Sequence, residues 1–205
     1  EPIQGEAGVI IPKNDYLNQV QDICRKNGWL LILDGVQSCM GRTGKLFAHE
    51  HNEITPDILC LAKGLGNGVP IGACLAKGIA SEMLTPGTHG STFGGNPLVT
   101  AAALGVLDVF QNTKVLDNVN QMSNYFRSEF DKKFSNNDSI KELRIKGLMI
   151  GIQFFEEPSK FLTAFHKNKL ITVKASDNVI RILPPLNVKK EEIDEGINII
   201  NKTLK

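Results

Sequence analysis

The 205-residue sequence is poor in several things, and each shortage removes a class of protein. It has one tryptophan and two tyrosines, and its four cysteines, Cys24, Cys39, Cys60 and Cys74, form no C-x-x-C pair. That is not a disulfide scaffold, and it fits a reducing compartment, so a cytoplasmic location is expected. Neither sign of charge dominates: 23 Lys and Arg stand against 22 Asp and Glu, a net charge of +1. This argues against nucleic-acid or membrane-surface partners gripped by a basic patch. No apolar run approaches the roughly 18 residues of a membrane-spanning helix. What is present, 41% hydrophobic and 22% charged residues, suffices for a buried core. The length suggests one large domain or a domain plus part of a second. The chain opens inside a turn, Glu1-Pro2-Ile3-Gln4-Gly5-Glu6, with no initiator Met, and a piece of a longer protein is expected.

Short apolar runs alternate with helical stretches through the first half. Val9 to Ile11 is β-like, and Tyr16 to Lys26 has helical spacing with Asn27-Gly28 as its stop. Trp29 to Leu33, ending in Asp34, reads as a strand buried on both faces. Ile58 to Ala62, ending in Lys63, and Ile71 to Ala76 are further strands, and the alternation predicts an α/β sheet that is largely parallel. Pro97 opens a helix to about Gln111, and Val115, Val119, Met122, Phe126 and Phe130 form the stripe of another. Strands are expected at Ile140 to Ile145, Leu148 to Phe155, Leu170 to Val173 and Val179 to Leu183, and helices near Ser159 to Asn168 and along Ile193, Ile197, Ile200 and Leu204. Glu191 and Glu192 suit the dipole at the start of the last helix. This second half reads as a smaller α+β unit, giving expected domains of 1–115 and 116–205.

Ligands of open α/β sheets sit outside the carboxyl ends of the strands. Asp34 and Lys63 occupy that position, each followed by small or glycine-rich residues that would let backbone approach a ligand. Alone, such a lysine is ordinarily solvated and such an aspartate ordinarily a helix cap. Together they meet the two demands of pyridoxal phosphate chemistry: an amine that condenses with the cofactor aldehyde, and a carboxylate that keeps the pyridine ring protonated. The loop Thr88-His89-Gly90-Ser91-Thr92-Phe93-Gly94-Gly95-Asn96, rich in hydroxyls and glycine before a helix, could hold the phosphate, or be only a flexible turn. Arg181 is either an outward residue on a half-exposed strand or a bidentate clamp for a carboxylate, and Glu6 could pair with it.

These residues lie in stretches that resemble the class III (subgroup II) pyridoxal-phosphate aminotransferases, most closely those acting on acetylornithine and ornithine. The stretches are E-P-I-Q-G-E-A-G at 1–8, D-G-V-Q at 34–37, G-R-T-G at 41–44 and P-D-I-L-C-L-A-K-G-L at 56–65. G-T-H-G-S-T-F-G-G-N-P at 87–97, K-G-L-M-I-G at 146–151 and V-I-R-I-L-P-P-L at 179–186 complete the set. The resemblance implies fold type I, the aspartate-aminotransferase-like fold, with the second part of the large domain followed by the small C-terminal domain. It implies that Lys63 is the Schiff-base lysine and proton shuttle, that Asp34 holds the pyridinium nitrogen, that Val36 packs on the ring and that Gln37 reaches its hydroxyl. Thr92 would bind the cofactor phosphate of the neighbouring subunit of a homodimer, with Ser91 near the substrate. Arg181 would take the α-carboxylate of glutamate or 2-oxoglutarate, and Glu6 would pair with Arg181 while the amino donor is bound. The implied reaction moves the amino group of N-acetylornithine or ornithine to 2-oxoglutarate, a step of arginine biosynthesis.

The sequence departs from the family pattern at Gly35, where a glutamate is usual, and at Ile145, where a glycine is usual. The chain also lacks the family's other phosphate-binding turn, the aromatic that stacks on the cofactor and a second substrate arginine, so on its own it is expected to be inactive. Succinylornithine, 4-aminobutyrate and diaminononanoate-forming aminotransferases are the alternatives within the family. From other classes come a nicotinamide-dependent oxidoreductase built on Gly64-x-Gly66-x-Gly68, and a non-catalytic role. A zinc site at His49, His51 and Glu53 is conceivable, but alternate-residue histidines beside a loop are ordinarily solvated, and no metal is expected.

Overall fold

The computed structural model of the chain describes residues 1–204; Lys205, the last residue of the expected second domain, lies outside the described residues. The chain forms two compact units. The first comprises Glu1–Pro2, Pro12–Gly41 and Lys45–Lys114; the second takes in Ile3–Ile11, Arg42–Gly44 and everything from Val115 onward.

In the first unit, helix α1 (Tyr16–Asn27) stops at Gly28, which adopts φ 66°. The Gly28 and Trp29 amides then bond back to the carbonyls of Arg25 and Cys24, at 3.3 and 2.9 Å. This closure spends Trp29 on the helix end, so β1 covers only Ile32–Asp34 rather than the whole apolar run. Nor is that run buried on both faces: Leu31 and Leu33 enter the core, while Trp29 and Ile32 are 62% and 58% exposed. β2 (Ile58–Leu61) pairs with β1 in parallel, Asp34 opposite Cys60. β3 (Ala73–Ala76) pairs with β2 in the antiparallel sense, Cys60 opposite Cys74. The expectation of a largely parallel sheet is thereby corrected, because the link between β2 and β3 is too short for a helical crossover. Helix α2 (Pro97–Asn112) starts at Asn96, whose side chain accepts from the Leu98 and Val99 amides.

The second unit begins its helices with α3 (Val115–Phe134). Its four-stranded sheet runs β4 (Ile140–Lys146), β5 (Met149–Phe154), β7 (Val179–Ile182), β6 (Val173–Ala175), with every pairing antiparallel. α4 (Ser159–Lys167) and α5 (Lys190–Thr203) complete it. β6 starts later than the apolar run suggests, because Lys169 and Leu170 bond back to His166 and Phe165 to close α4. One face of the sheet, with Ile150, Ile152, Phe154, Ile180 and Ile182, packs into a core with Val119, Phe126, Phe130, Ile193 and Ile197 of the helices. Ile145, in the family's glycine position, is buried in that same core. The other face meets the segment at residues 3–10, and Ile3, Val9 and Met149 form a small cluster there.

The β-like run at Val9 to Ile11 is not a strand. Gln4 and Ile10 exchange backbone hydrogen bonds at 3.1 and 3.0 Å, and Gly8 and Val9 turn the chain between them with φ 112° and 52°. A buried valine with positive φ is held there by its surroundings. Among the described residues, no helix is long and apolar enough to cross a membrane.

Candidate active site

Asp34 and Lys63 stand at the carboxyl ends of two adjacent parallel strands, so pairing in the first unit brings them to one edge of the sheet. Both are exposed. Asp34 Oδ1 accepts from the Val36 amide at 2.9 Å, which aims the carboxylate back across the start of the following turn. Val36 and Gln37 in that turn are half-buried, and the turn is pinned by Gly35 N donating to the Cys60 carbonyl at 2.9 Å. Gly35 stands where no side chain fits as the chain is built. A Cβ there would lie 2.5 Å from Cys39 Sγ and 2.9 Å from the Cys60 carbonyl. The missing glutamate is thus matched by a thiol filling the adjoining space, and burial pushes the Cys39 thiol pKa up.

Lys63 opens a single 3-10 turn, Lys63–Leu65, with φ 45°. A lysine rarely takes that conformation. It is maintained by Gly66 and Asn67 amides donating to the Lys63 carbonyl at 3.1 and 3.2 Å. The glycines after it make close approaches to the chain itself. A Cβ on Gly64 would be 3.0 Å from Met40 Cβ, and one on Gly66 would be 2.1 Å from the Val69 carbonyl oxygen. No helix follows Lys63 and the next strand is antiparallel, so the glycine run is not a dinucleotide-binding turn. Among the described residues neither Asp34 nor Lys63 takes part in an ion pair.

Ser91 and Thr92 lie on an exposed loop whose hydrogen bonds are local: Gly94 N donates to Ser91 Oγ at 3.1 Å, and Asn96 Nδ2 to the Phe93 carbonyl at 2.8 Å. The Leu98 and Val99 amides of the following helix are already taken by Asn96, at 3.1 and 3.2 Å. An anion here would therefore rest on the loop hydroxyls and the remaining loop amides, not on those two helix donors. Phe93, at the tip, is 81% exposed.

The second unit holds the other two candidates, and they touch. Arg181 is buried, 7% exposed, and its Nη2 lies 2.8 Å from Glu6 Oε1. This sets aside the outward, half-exposed reading of Arg181, because an outward surface arginine would not be buried and paired. Gly151 on β5 is its register partner. Sequence reasoning missed two further arginines. Arg42 donates to the carbonyls of Leu148 and Pro184 at 3.2 and 2.6 Å, and burial lowers its pKa to about 10, so it remains charged near neutrality. Arg144 donates to the Gly8 carbonyl, to Gln153 Oε1, to Asp177 Oδ2 and to Glu142 Oε2, at 2.8 to 2.9 Å. The only signals in the sequence were an arginine between glycines, for Arg42, and an arginine flanked by Leu143 and Ile145 in an otherwise charged strand, for Arg144. A cavity of about 390 Å³ in this unit, lined mainly by apolar residues such as Phe126, Ile182, Pro185 and Ile193 but also by Lys169 and Glu192, holds no candidate residue.

His49 stacks on Phe47 at 5.6 Å, and no group of three or more His, Cys, Asp or Glu among the described residues could hold a metal ion. The zinc arrangement is set aside on that geometry.

The family model for class-III aminotransferases matches residues 1–204. The chain is 43% identical to the acetylornithine aminotransferase of Nitrosomonas europaea over 201 residues, covering 98% of this chain and 51% of that protein. It is 44% identical to the acetylornithine aminotransferase of Clostridium acetobutylicum, covering 100% of this chain and 53% of that one. The chain thus spans about half the length of the curated relatives it matches. Among solved structures, it superposes on the ornithine aminotransferase of Toxoplasma gondii with a TM-score of 0.94 at 36% identity, covering 99% of this chain and 49% of that one. It superposes on the acetylornithine aminotransferase of Elizabethkingia anophelis with a TM-score of 0.90 at 40% identity, covering 99% and 55%. A second structure of the Toxoplasma enzyme, at TM-score 0.93, is described as having partial occupancy of PLP at its active site.

Proposed function

The chain belongs to the class-III aminotransferases and has their fold type I architecture, and on that premise we propose that the protein containing it transfers the amino group of N-acetylornithine or ornithine to 2-oxoglutarate, with pyridoxal phosphate as cofactor. The names of its relatives support acetylornithine as donor, and with that donor the protein would serve arginine biosynthesis. The observation that carries the reading is the pair Asp34 and Lys63, exposed and, among the described residues, in no ion pair, at the carboxyl ends of adjacent parallel strands.

These residues fit the cofactor. A carboxylate oriented by the Val36 amide suits a protonated ring nitrogen, and an exposed lysine on a turn of unusual φ suits covalent attachment to an aldehyde. Val36 would pack on the ring and Gln37 would reach its hydroxyl. When bound, pyridoxal phosphate supplies the electron sink that makes the carbon bearing the amine acidic. Lys63 would hold and move the proton exchanged at the reacting carbon, and Asp34 would keep the ring nitrogen protonated. Arg181 binds the α-carboxylate of 2-oxoglutarate or glutamate, with Ser91 near the substrate. Glu6 neutralises Arg181 when the reacting carbon of the donor bears no carboxylate.

The exposed, locally bonded loop around Thr92 supports a role for that hydroxyl at the phosphate site of a neighbouring subunit, and so a homodimer. The first unit is assigned to the large cofactor-binding domain and the second to the small domain; the expected division near 115 and 116 matches the main break, but the second unit also takes in Ile3–Ile11 and Arg42–Gly44. A cytoplasmic location agrees with the free cysteines. Borohydride reduction of the cofactor-loaded protein followed by peptide mapping tests this directly. The reduced cofactor is expected on Lys63, and its attachment to a different lysine, or to none, would overturn the assignment.

A further inference from the structure

Arg144 and Arg181 lie in one row across the small sheet, because each is the register partner of Gly151, on β4 and β7 respectively. They share a face and stand two strands apart, about 10 Å at the usual strand spacing. The turn at residues 4–10 sits over the glycine between them: a Cβ on Gly151 would lie 3.0 Å from Val9. Each arginine grips that turn. Arg181 takes the Glu6 carboxylate at 2.8 Å, and Arg144 Nη1 donates to the Gly8 carbonyl at 2.8 Å.

We propose that Arg144 is a positioning residue for the Glu6–Arg181 pair, and that by fixing the backbone that carries Glu6 it sets how the enzyme divides its specificity between amino donor and dicarboxylate acceptor. This rests on the transaminase reading. The Glu6 side chain is 66% exposed, so water competes for it, and its hold on Arg181 depends on how firmly its backbone is placed. That backbone includes Gly8 and Val9 at positive φ, a shape the turn does not keep unaided. Two of its ties to the sheet are the Ser176 amide donating to the Glu6 carbonyl at 3.0 Å and the Arg144 bond to Gly8.

Arg144 is itself seated at every nitrogen. Nε meets Glu142 at 2.9 Å, while Nη2 meets Gln153 at 2.8 Å and Asp177 at 2.9 Å. Gln153 Nε2 in turn donates to the Asp177 carbonyl at 3.2 Å. Ser176 and Asp177 belong to the turn that feeds β7, the strand carrying Arg181. One guanidinium therefore ties the turn bearing Glu6 to the turn that delivers Arg181, and a lysine, with one point charge, cannot span both. The consequence for substrates is asymmetric. The acceptor presents a carboxylate beside its reacting carbon, which Arg181 binds without help. The donor presents none there, and a loosened Glu6 leaves the buried Arg181 uncompensated.

The test measures the two half-reactions separately in the cofactor-loaded protein containing this chain, as wild type, R144Q, R144K, E6Q and R144Q/E6Q. R144Q and R144K are expected to lower the ratio of donor to acceptor kcat/KM by about tenfold, a usual size for coupling between sites. E6Q should shift the ratio the same way, and R144Q should add nothing in the E6Q background. Amide exchange at Val9 and Ser176 should quicken in R144Q, while Phe126 in the helical core is unchanged. Equal loss in both half-reactions, or a shift that adds to that of E6Q, would overturn the proposal. If R144Q does not fold, Q153A, which removes one of the arginine's seats, must shift the ratio in the same direction, and an unchanged ratio counts against it. If the wild type performs neither half-reaction, the transaminase reading falls and the specificity claim with it, whereas unchanged Val9 and Ser176 exchange in R144Q refutes the positioning alone.

Discussion

Gly151 and Val9 are packed so closely that the absence of one side chain seats the other: a Cβ on Gly151 would lie 3.0 Å from both Val9 Cβ and Cγ2 and 3.0 Å from Val179 Cγ1. The contact joins β5 to the turn carrying Glu6, and Gly151 also lies opposite Arg181. Gly151→Ala is expected to overpack this point at a cost of about 1–3 kcal/mol, visible as a lower urea midpoint. Faster amide exchange at Val9 than at Ile152 should accompany it. Unchanged exchange at Val9 would mean that the turn is held without this contact.

Gly35 gives a second packing test. A Cβ at this position would meet Cys39 Sγ at 2.5 Å and the Cys60 carbonyl at 2.9 Å, so Gly35→Ala should destabilise by about 1–3 kcal/mol. Adding Cys39→Gly should recover part of the loss, since the sulfur is removed while the carbonyl stays. Chemical denaturation of the two variants decides it, and no recovery would show that the backbone contact dominates.

Acid should weaken the second unit through Asp177. Its pKa lies below the usual 3.8, first because Arg144 donates to it, so the carboxylate is bound more tightly in the folded state as an anion. A depressed folded pKa contributes stability that is present above the unfolded value and is lost as pH falls through the folded one. The urea midpoint should therefore decline below about pH 4, and more shallowly in Asp177→Asn. Glu157, lowered to about 2 by hydrogen bonds from Lys174 and Ser159, titrates in the same direction, so Glu157→Gln is the necessary companion. An identical acid limb in Asp177→Asn would remove Asp177 from the account.

The start of α2 depends on Asn96, whose side chain takes two backbone donors. Asn96→Ala should cost about 1 kcal/mol, read by thermal denaturation. Because the Asn96 side-chain amide also closes the loop by donating to the Phe93 carbonyl, protease nicking between Ser91 and Gly95 should rise in this variant. A stable variant with an unchanged nicking rate would show that the loop keeps its shape without the cap.

Much of this architecture was legible because its causes are local. Asn27-Gly28 ends α1 by a positive φ that glycine tolerates, Pro97 follows an asparagine cap, and the stripes of α3 and α5 face one core. Asp34 and Lys63 were legible because each follows an apolar run whose strand ends there. What was not legible depends on how neighbouring elements close and on partners remote in sequence. Trp29 looks like strand until the closure of α1 claims it, and β3 looks parallel until the short link reverses it. Val9 to Ile11 is a short β-like apolar run, but Gly8 turns the chain before it, and the Gly8 carbonyl's partner Arg144 lies 136 residues away. Arg144 carried no motif of its own, and its importance follows from four acceptors that only the fold assembles.

The most direct test of the central claim is a single turnover of the cofactor-loaded protein with N-acetylornithine, followed by 2-oxoglutarate carrying a carbon label. The visible absorbance of the bound cofactor is expected to be lost with the donor and restored with the acceptor, and labelled glutamate to form in wild type but not in Lys63→Ala. Cofactor that binds yet never gives labelled glutamate with N-acetylornithine or ornithine, or labelled glutamate formed equally by Lys63→Ala, would contradict it.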